Sequence, residues 1–266
     1  MDGVLGIDAA WTAKKPSGVA LLKGSPRHWR CVAVTPSYDS FLAYAEGVAV
    51  DWTVKAKGAV PNARYLITAA DKLLDGEELE VVTVDMPLST EPIARRRAAD
   101  AAISRAFGGK GASAYTPTAE RPGTLGAQLG EEIVHAGFPL ATCTTSPGTP
   151  RRLVEVYPHP ALLSLTGATY RLCYKVDKSL TYWPGTTVRE RKASLISQFR
   201  RIRTALSTEI DGITLELPDA ASIATLSGLK PYEDALDAVV CAWVGAKYLE
   251  DDAEPYGDYT AAIWVP

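Results

Sequence analysis

Five carboxylates carry the chemistry this sequence offers. Val4, Leu5, Gly6 and Ile7 form an apolar, β-favouring run that ends on Asp8 and turns through Ala9, Ala10, Trp11 and Thr12. Residues 79–84 repeat the pattern and end on Asp85, with Pro87 just beyond. Asp234 and Asp237 lie three residues apart on a helical stretch, so they are neighbours on one face. Glu155 interrupts a run of strand formers, Val154, Val156 and Tyr157. A charge at the end of a buried strand is unfavourable unless a metal or a partner uses it. Simpler roles exist for each acid. Asp8 can cap a turn, and Asp234 can complement the positive end of a helix dipole. As a set, oxygen-only ligands select Mg²⁺ or Mn²⁺. A divalent ion also relieves the mutual repulsion of clustered carboxylates. Two such ions ~3.5–4 Å apart can activate a water and stabilise the leaving oxygen of a phosphodiester.

Positive groups that could meet a phosphate are fewer and more ambiguous. Arg95, Arg96 and Arg97 are consecutive in a stretch, residues 93–105, that reads as a helix. They fan over roughly 200° of its circumference. They form either a solvated face with an Arg97–Asp100 pair or a phosphate contact near the acids. Lys175 and Lys178 fall in residues 173–185, a polar and aromatic stretch expected to be an exposed excursion. Val188–Leu206 reads as a helix with Leu195, Ile196, Phe199, Ile202 and Leu206 on its core face. Its arginines form a solvated surface or a nucleic-acid contact. Residues 107–121 are rich in Gly, Ser, Thr and Pro, a long loop by ordinary standards. No GxxxxGK[ST] follows a strand there, so the phosphate-loop comparison is weak.

These residues need elements to hold them. Residues 3–8, 18–22 and 29–35 read as strands joined by short breaks, which favours antiparallel hairpins. Residues 38–50 and 62–74 read as helices. Residues 79–85 are nearly continuously apolar and suit a central strand of a covered sheet. Residues 125–136 form a helix, and residues 151–157 a strand stopped by Pro158 and Pro160. Lys230–Leu249 is the best-defined helix, with Pro231 in its first turn. Its small residues Ala238, Cys241, Ala242 and Gly245 continue the line of Asp234 and Asp237. Such a seam lets a helix approach a sheet closely, which would carry both aspartates to the strand ends. Residues 256–265 add a short edge strand.

Composition narrows the classes. The 266 residues suffice for one sizeable core, so a single domain over 1–266 is expected. The net charge of −3 supplies no global basic field, so nucleic-acid binding would need a local patch. The four cysteines, without a CxxC spacing, read as reduced core residues, and three scattered histidines make zinc an unlikely ligand. No basic leader opens the sequence, and no apolar run nears the ~20 residues that span a bilayer. A soluble cytoplasmic protein with no membrane partner is expected. Whether it is a monomer or a dimer is not encoded in any pattern.

Taken together, residues 6–11 (GIDAAW), 84–89 (VDMPLS), 94–100 (ARRRAAD), 155–162 (EVYPHPAL) and 233–243 (EDALDAVVCAW) resemble the DUF429 family of predicted nucleases. More broadly they resemble the ribonuclease H-like superfamily. The last segment also looks like the terminal helix of RuvC-type Holliday-junction resolvases. The resemblance implies an α/β fold, a ribonuclease H-like mixed five-stranded sheet, antiparallel at strands one to three and flanked by helices. Residues 95–148 and 171–228 would be family-specific insertions. It implies that Asp8, Asp85, Asp234 and Asp237 are metal ligands for Mg²⁺ or Mn²⁺, with Asp8 bridging. Glu155 would be an extra acid near the site. Arg96, Arg97, Lys175 and Lys178 would contact substrate, and the activity would be hydrolysis of DNA or RNA. Two rivals remain: a binding or scaffold protein whose acids are structural, and an ATP-dependent phosphotransferase on the related actin-like fold.

Overall fold

The computed structural model describes residues 1–118 and 120–266. The loop expected over residues 107–121 contains Ala119, which lies outside the described residues. Eight strands form one mixed sheet in the order β6-β3-β2-β1-β4-β5-β8-β7. Strands β1 (Asp2–Asp8), β2 (Gly18–Ser25) and β3 (His28–Thr35) pair antiparallel, as their short connections dictate. Strand β4 (Glu78–Val84) returns parallel to β1, and β5 (Arg152–Val156) lies parallel to β4.

The sheet therefore exceeds the five strands expected. The short β6 (Ile210–Asp211) extends it beyond β3. At the other side the C-terminal tail is a hairpin rather than one edge strand. Its second arm, β8 (Ala262–Val265), pairs with β5, and β7 (Glu254–Gly257) becomes the edge. Trp264 on β8 is fully buried, and it packs edge-on against Tyr248 of the last long helix at a centroid separation of 4.8 Å.

Side chains alternate across the sheet with period two and feed two separate cores. Val4, Ala20, Leu22, Val81 and Val154 face one side. There they meet α5 (Pro158–Thr166), α7 (Val188–Leu206) and α8 (Lys230–Leu249). Leu5, Ile7, Val19, Leu21, Val82 and Val84 face the other. They pack on α1 (Tyr38–Ala45), α2 (Ala63–Leu74) and α4 (Thr124–His135). A third, smaller cluster joins α3 (Ala98–Phe107) to Ile263 and Val265.

Helix α8 is buried on all sides from Tyr232 to Ala246. Its seam of small residues lies on the sheet as the sequence predicts. A Cβ on Gly6 would stand 2.4 Å from the Ala238 carbonyl oxygen and 2.4 Å from the Ala242 nitrogen. A Cβ on Gly18 would stand 2.1 Å from the Asp234 carbonyl oxygen. Both distances are steric overlaps, so only glycine admits this helix to its place.

Three local expectations are corrected. Helix α3 begins at Ala98, five residues later than expected, because the Asp100 carboxylate accepts from the Arg97 backbone N–H at 2.9 Å and fixes the helix start there. Helix α1 stops at Ala45, and Gly47 takes a left-handed φ of 85° beyond it. Residues 173–185 are not wholly an exposed excursion: Tyr174 and Val176 are buried in the core around α8. Of the four cysteines, Cys31 and Cys241 are buried, Cys173 is half-buried and Cys143 is exposed; all are free. Among the described residues no helix is long and apolar enough to cross a membrane.

Candidate active site

Parity along the strands decides which acids meet. On β1, Val4 and Gly6 face α8, so Asp8 does too. On β4, Val81 and Thr83 face α8, which carries Asp85 to the same side one step beyond the strand. The parallel register sets Ile7 opposite Val84, and the Asp85 N–H donates to the Ile7 carbonyl at 2.9 Å. Asp8 and Asp85 thus stand side by side where two parallel strands end, the usual place for a ligand in an α/β sheet. Helix α8, admitted by Gly6 and Gly18, brings Asp234 and Asp237 against them. A cleft of about 500 Å³ opens over this group. Asp8, Asp85 and Asp234 line it, with Lys15, Lys55, Lys175 and Lys230 and the side chains of Trp11, Tyr115 and Arg121.

Two lysines neutralise part of the cluster. The Lys175 ammonium contacts the Asp237 carboxylate and lies 3.5 Å from Glu233. Lys230 binds Glu233 at 2.7 Å and Asp234 at 2.6 Å. The Tyr174 hydroxyl donates to Asp237 at 2.7 Å, and the Val176 N–H to Glu233 at 2.6 Å. Residues 174–176 are therefore laced to the first turns of α8. Behind them His159 stacks edge-on to Tyr174 at 5.5 Å, and burial holds its imidazole neutral.

The two strand-end acids are treated differently. Among the described residues no protein donor reaches the carboxylate of Asp8 or of Asp85. Burial, then the charges of Asp237 and Asp234, push Asp8 well above the usual carboxylate range. Burial raises Asp85 to about 7 although Lys175 opposes it. Burial raises Asp234 to about 6 despite its lysine partner. Burial also works against Glu233, but Lys175 and Lys230 outweigh it and keep that group below its ordinary value. On Lys175 burial is outweighed by Asp237, Tyr174 and Glu233, which hold the ammonium charged. Clustered acids with pKa values spread by their surroundings are the electrostatic mark of a functional site.

Other residues singled out from the sequence stand elsewhere or are already engaged. Asp237 is fully buried and committed to Tyr174 and Lys175, so it supports the cluster from beneath and does not line the cleft. Glu155 stands near the site, where its charge helps to raise Asp85, but it does not line the cleft. It is paired in register with Val84 and so points to the face opposite Asp8 and Asp85. There it accepts two bonds from Arg97, at 2.6 and 2.7 Å, and one from the Leu88 N–H at 2.8 Å. Arg97 is a correction. Its guanidinium is buried between Glu155 and Asp100, with nothing left for a phosphate. Arg96 is bonded to Thr116, Ser104 and the Asp100 carbonyl, away from the cleft lining. Lys178 is exposed and does not line the cleft. Lys230, Glu233 and Tyr174 went unrecognised in the sequence. The only signal was their spacing from Asp234 and Lys175.

The donors suit a hard divalent cation in kind, since they are all carboxylate oxygens and two are unbonded. Among the described residues no three His, Cys, Asp or Glu side chains stand close enough together to hold a metal.

An α/β protein with a mixed eight-stranded sheet and a carboxylate-lined cleft at its central strand ends is the class these features define. The chain matches the family described as "Protein of unknown function (DUF429)" over residues 6–261 and belongs to it. No curated protein and no solved structure matches the chain.

Proposed function

We propose that this protein is a divalent-metal-dependent phosphodiester hydrolase acting on nucleic acid. One observation carries the reading. Asp8 and Asp85 sit together in a cleft with their carboxylates unbonded, while neighbouring lysines serve Asp234, Asp237 and Glu233. Both acids are half-buried, and carboxylates that no protein group bonds are kept at a cost in such a place; a cation is the chemistry that uses them. The inner order β3-β2-β1-β4-β5, antiparallel over the first three strands, supports a ribonuclease H-like reading of the core. Free cysteines are in keeping with a cytoplasmic site of action.

Asp8, Asp85 and Asp234 would hold Mg²⁺ or Mn²⁺. When bound, such an ion supplies Lewis acidity and makes water nucleophilic at neutral pH. Asp237 positions Lys175, whose ammonium faces the acids and is placed to balance phosphate charge. Lys15 and Lys55 on the cleft wall draw the phosphate backbone in. Incubation with single- and double-stranded DNA and RNA, with and without Mn²⁺ or Mg²⁺, tests this. Asp8→Asn should lower divalent-dependent cleavage by about 100-fold or more. The proposal fails if no form of nucleic acid is cut, or if Asp8→Asn cuts as well as the parent.

The lysine pairing favours one other reading, a binding protein whose acids only organise α8. A thermal melt with millimolar Mn²⁺ separates the two. A site formed only in the folded state gains stability from its ion, and the binding-protein reading expects none.

A further inference from the structure

The wall of the cleft opposite α8 is unlike the rest of the surface. Trp11, three residues past Asp8, stands edge-to-face with Tyr115 at a centroid separation of 5.5 Å and an interplanar angle of 75°. The Arg121 guanidinium lies 5.5 Å from the Trp11 ring and 5.6 Å from the Tyr115 ring. Mutual backbone bonds between Thr118 and Arg121, at 2.8 and 3.1 Å, hold Arg121 in place. Tyr115 is 60% exposed, a large ring left outside every core cluster. Among the described residues no carboxylate lies within ion-pair reach of Arg121. All three side chains line the cleft that holds Asp8 and Asp85.

An exposed tyrosine ring, a half-buried tryptophan ring fixed against the core and a guanidinium beside lysines define a complementary ligand. It is flat and aromatic, and it is joined to an anion. We propose that Trp11, Tyr115 and Arg121 form a nucleobase-stacking subsite, and that the strand presented to the carboxylates is single or locally unpaired. A base within an intact duplex keeps both faces stacked on its neighbours and has none to offer. Stacking of this kind tolerates all bases, because each has a π-face. The subsite deepens the phosphodiesterase reading and rests on it for the identity of the strand.

Binding without chemistry tests it. Fluorescence anisotropy in EDTA compares a labelled single-stranded oligonucleotide with an abasic strand of equal length and charge, and with the duplex. The base-bearing single strand should bind about tenfold more tightly than the abasic strand. Tyr115→Ala and Trp11→Ala should each remove most of that ratio and leave abasic binding unchanged, whereas Tyr115→Phe should keep it. Tyr115 is exposed, so its variants test the ratio even if Trp11→Ala disturbs the fold. Competition by a nucleoside monophosphate at concentrations near its own affinity shows whether one nucleotide fills the subsite. Equal affinity for base-bearing and abasic strands, including no measurable affinity for either, overturns the subsite. Persistence of the ratio in a protein that cuts nothing retains the subsite and overturns the hydrolase. Cleavage without the ratio does the reverse.

Discussion

Two groups of carboxylates lie on opposite faces of the same sheet, one buried and the other half-buried at a cleft, and they are built differently. On one face Glu155 and Asp100 share Arg97. Between them the three side chains bond one another and the backbone groups of Leu88 and Arg97. On the other face Asp8 and Asp85 have no protein donor among the described residues, and their surroundings raise both above the usual carboxylate range. The first group is closed: every charge has a partner and solvent is excluded. The second opens onto a cleft, where its raised carboxyls are the groups the proposed cation would discharge. Deeply buried acids occur on both faces, Glu155 and Asp100 on one and Asp234 and Asp237 on the other, so burial alone does not separate the two groups. The distinguishing quantity is whether the protein itself completes the hydrogen bonding.

If the closed group is structural, breaking it should produce the largest effect on stability. Arg97→Met leaves Glu155 and Asp100 buried without their counter-charge. Losing one partner of a buried pair typically costs about 3–5 kcal/mol. Urea unfolding should show a loss of that size with no change in metal response. A loss under ~1 kcal/mol would mean that solvent already reaches the group, and the contrast between the two faces would collapse.

The open group should respond to metal instead. At a Mn²⁺ concentration of about 100 times its Kd, the parent should gain about 2.7 kcal/mol. Ligation needs ionised carboxylates. With Asp234 at about 6 and Asp85 at about 7, the gain should therefore grow as pH rises from 5 to 8. Thermal melts across that range check it, with Asp8→Asn as the comparison that should show little gain. A gain independent of pH would place the ion elsewhere.

Much of this contrast was written in the sequence, and one part was not. Asp8 and Asp85 were visible because each ends an apolar run, and the small residues of α8 announced its close approach to the sheet. Glu155 was read as an extra acid near that group. Its position in the strand, one residue past Val154, already sends it to the opposite face, since Val154 packs towards α8 and neighbours alternate. No face was assigned to Glu155 from the sequence, and its face follows from the register of β5 on β4. For Arg97 the expected pair with Asp100 is present, but its second partner, Glu155, lies 58 residues away, beyond local pattern. Lys175 was read as a substrate contact, and it does line the cleft; its hold on Asp237 was not foreseen. Nothing local reveals that residues 174–176 fold back onto α8, because that contact depends on tertiary packing around Tyr174. The extra strands escaped for a similar reason: β8 is four residues long, and Trp264 on it is buried by tertiary packing against Tyr248.

The smallest effect is also the most direct measure of how far these carboxyls are raised. Asp85 has an ordinary value of 3.8 and is raised to about 7 in the folded protein, chiefly by burial. A carboxyl that holds its proton more tightly when folded favours the folded state fully below its unfolded value. That contribution is lost as pH rises through the folded value. Asp85→Asn cannot ionise and keeps it at every pH. Without metal, the variant should therefore match the parent near pH 4 and become more stable by about 1–2 kcal/mol near pH 8, allowing for solvent in the cleft. The same substitution should weaken the Mn²⁺ gain, since it removes a ligand. Greater stability together with a weaker metal response is the signature of an acid retained for function. Glu155→Gln on the closed face should lower stability, because the neutral amide gives up its ion pair with Arg97. If both substitutions shifted stability in the same direction, the two faces would have to be regarded as one kind of structural network.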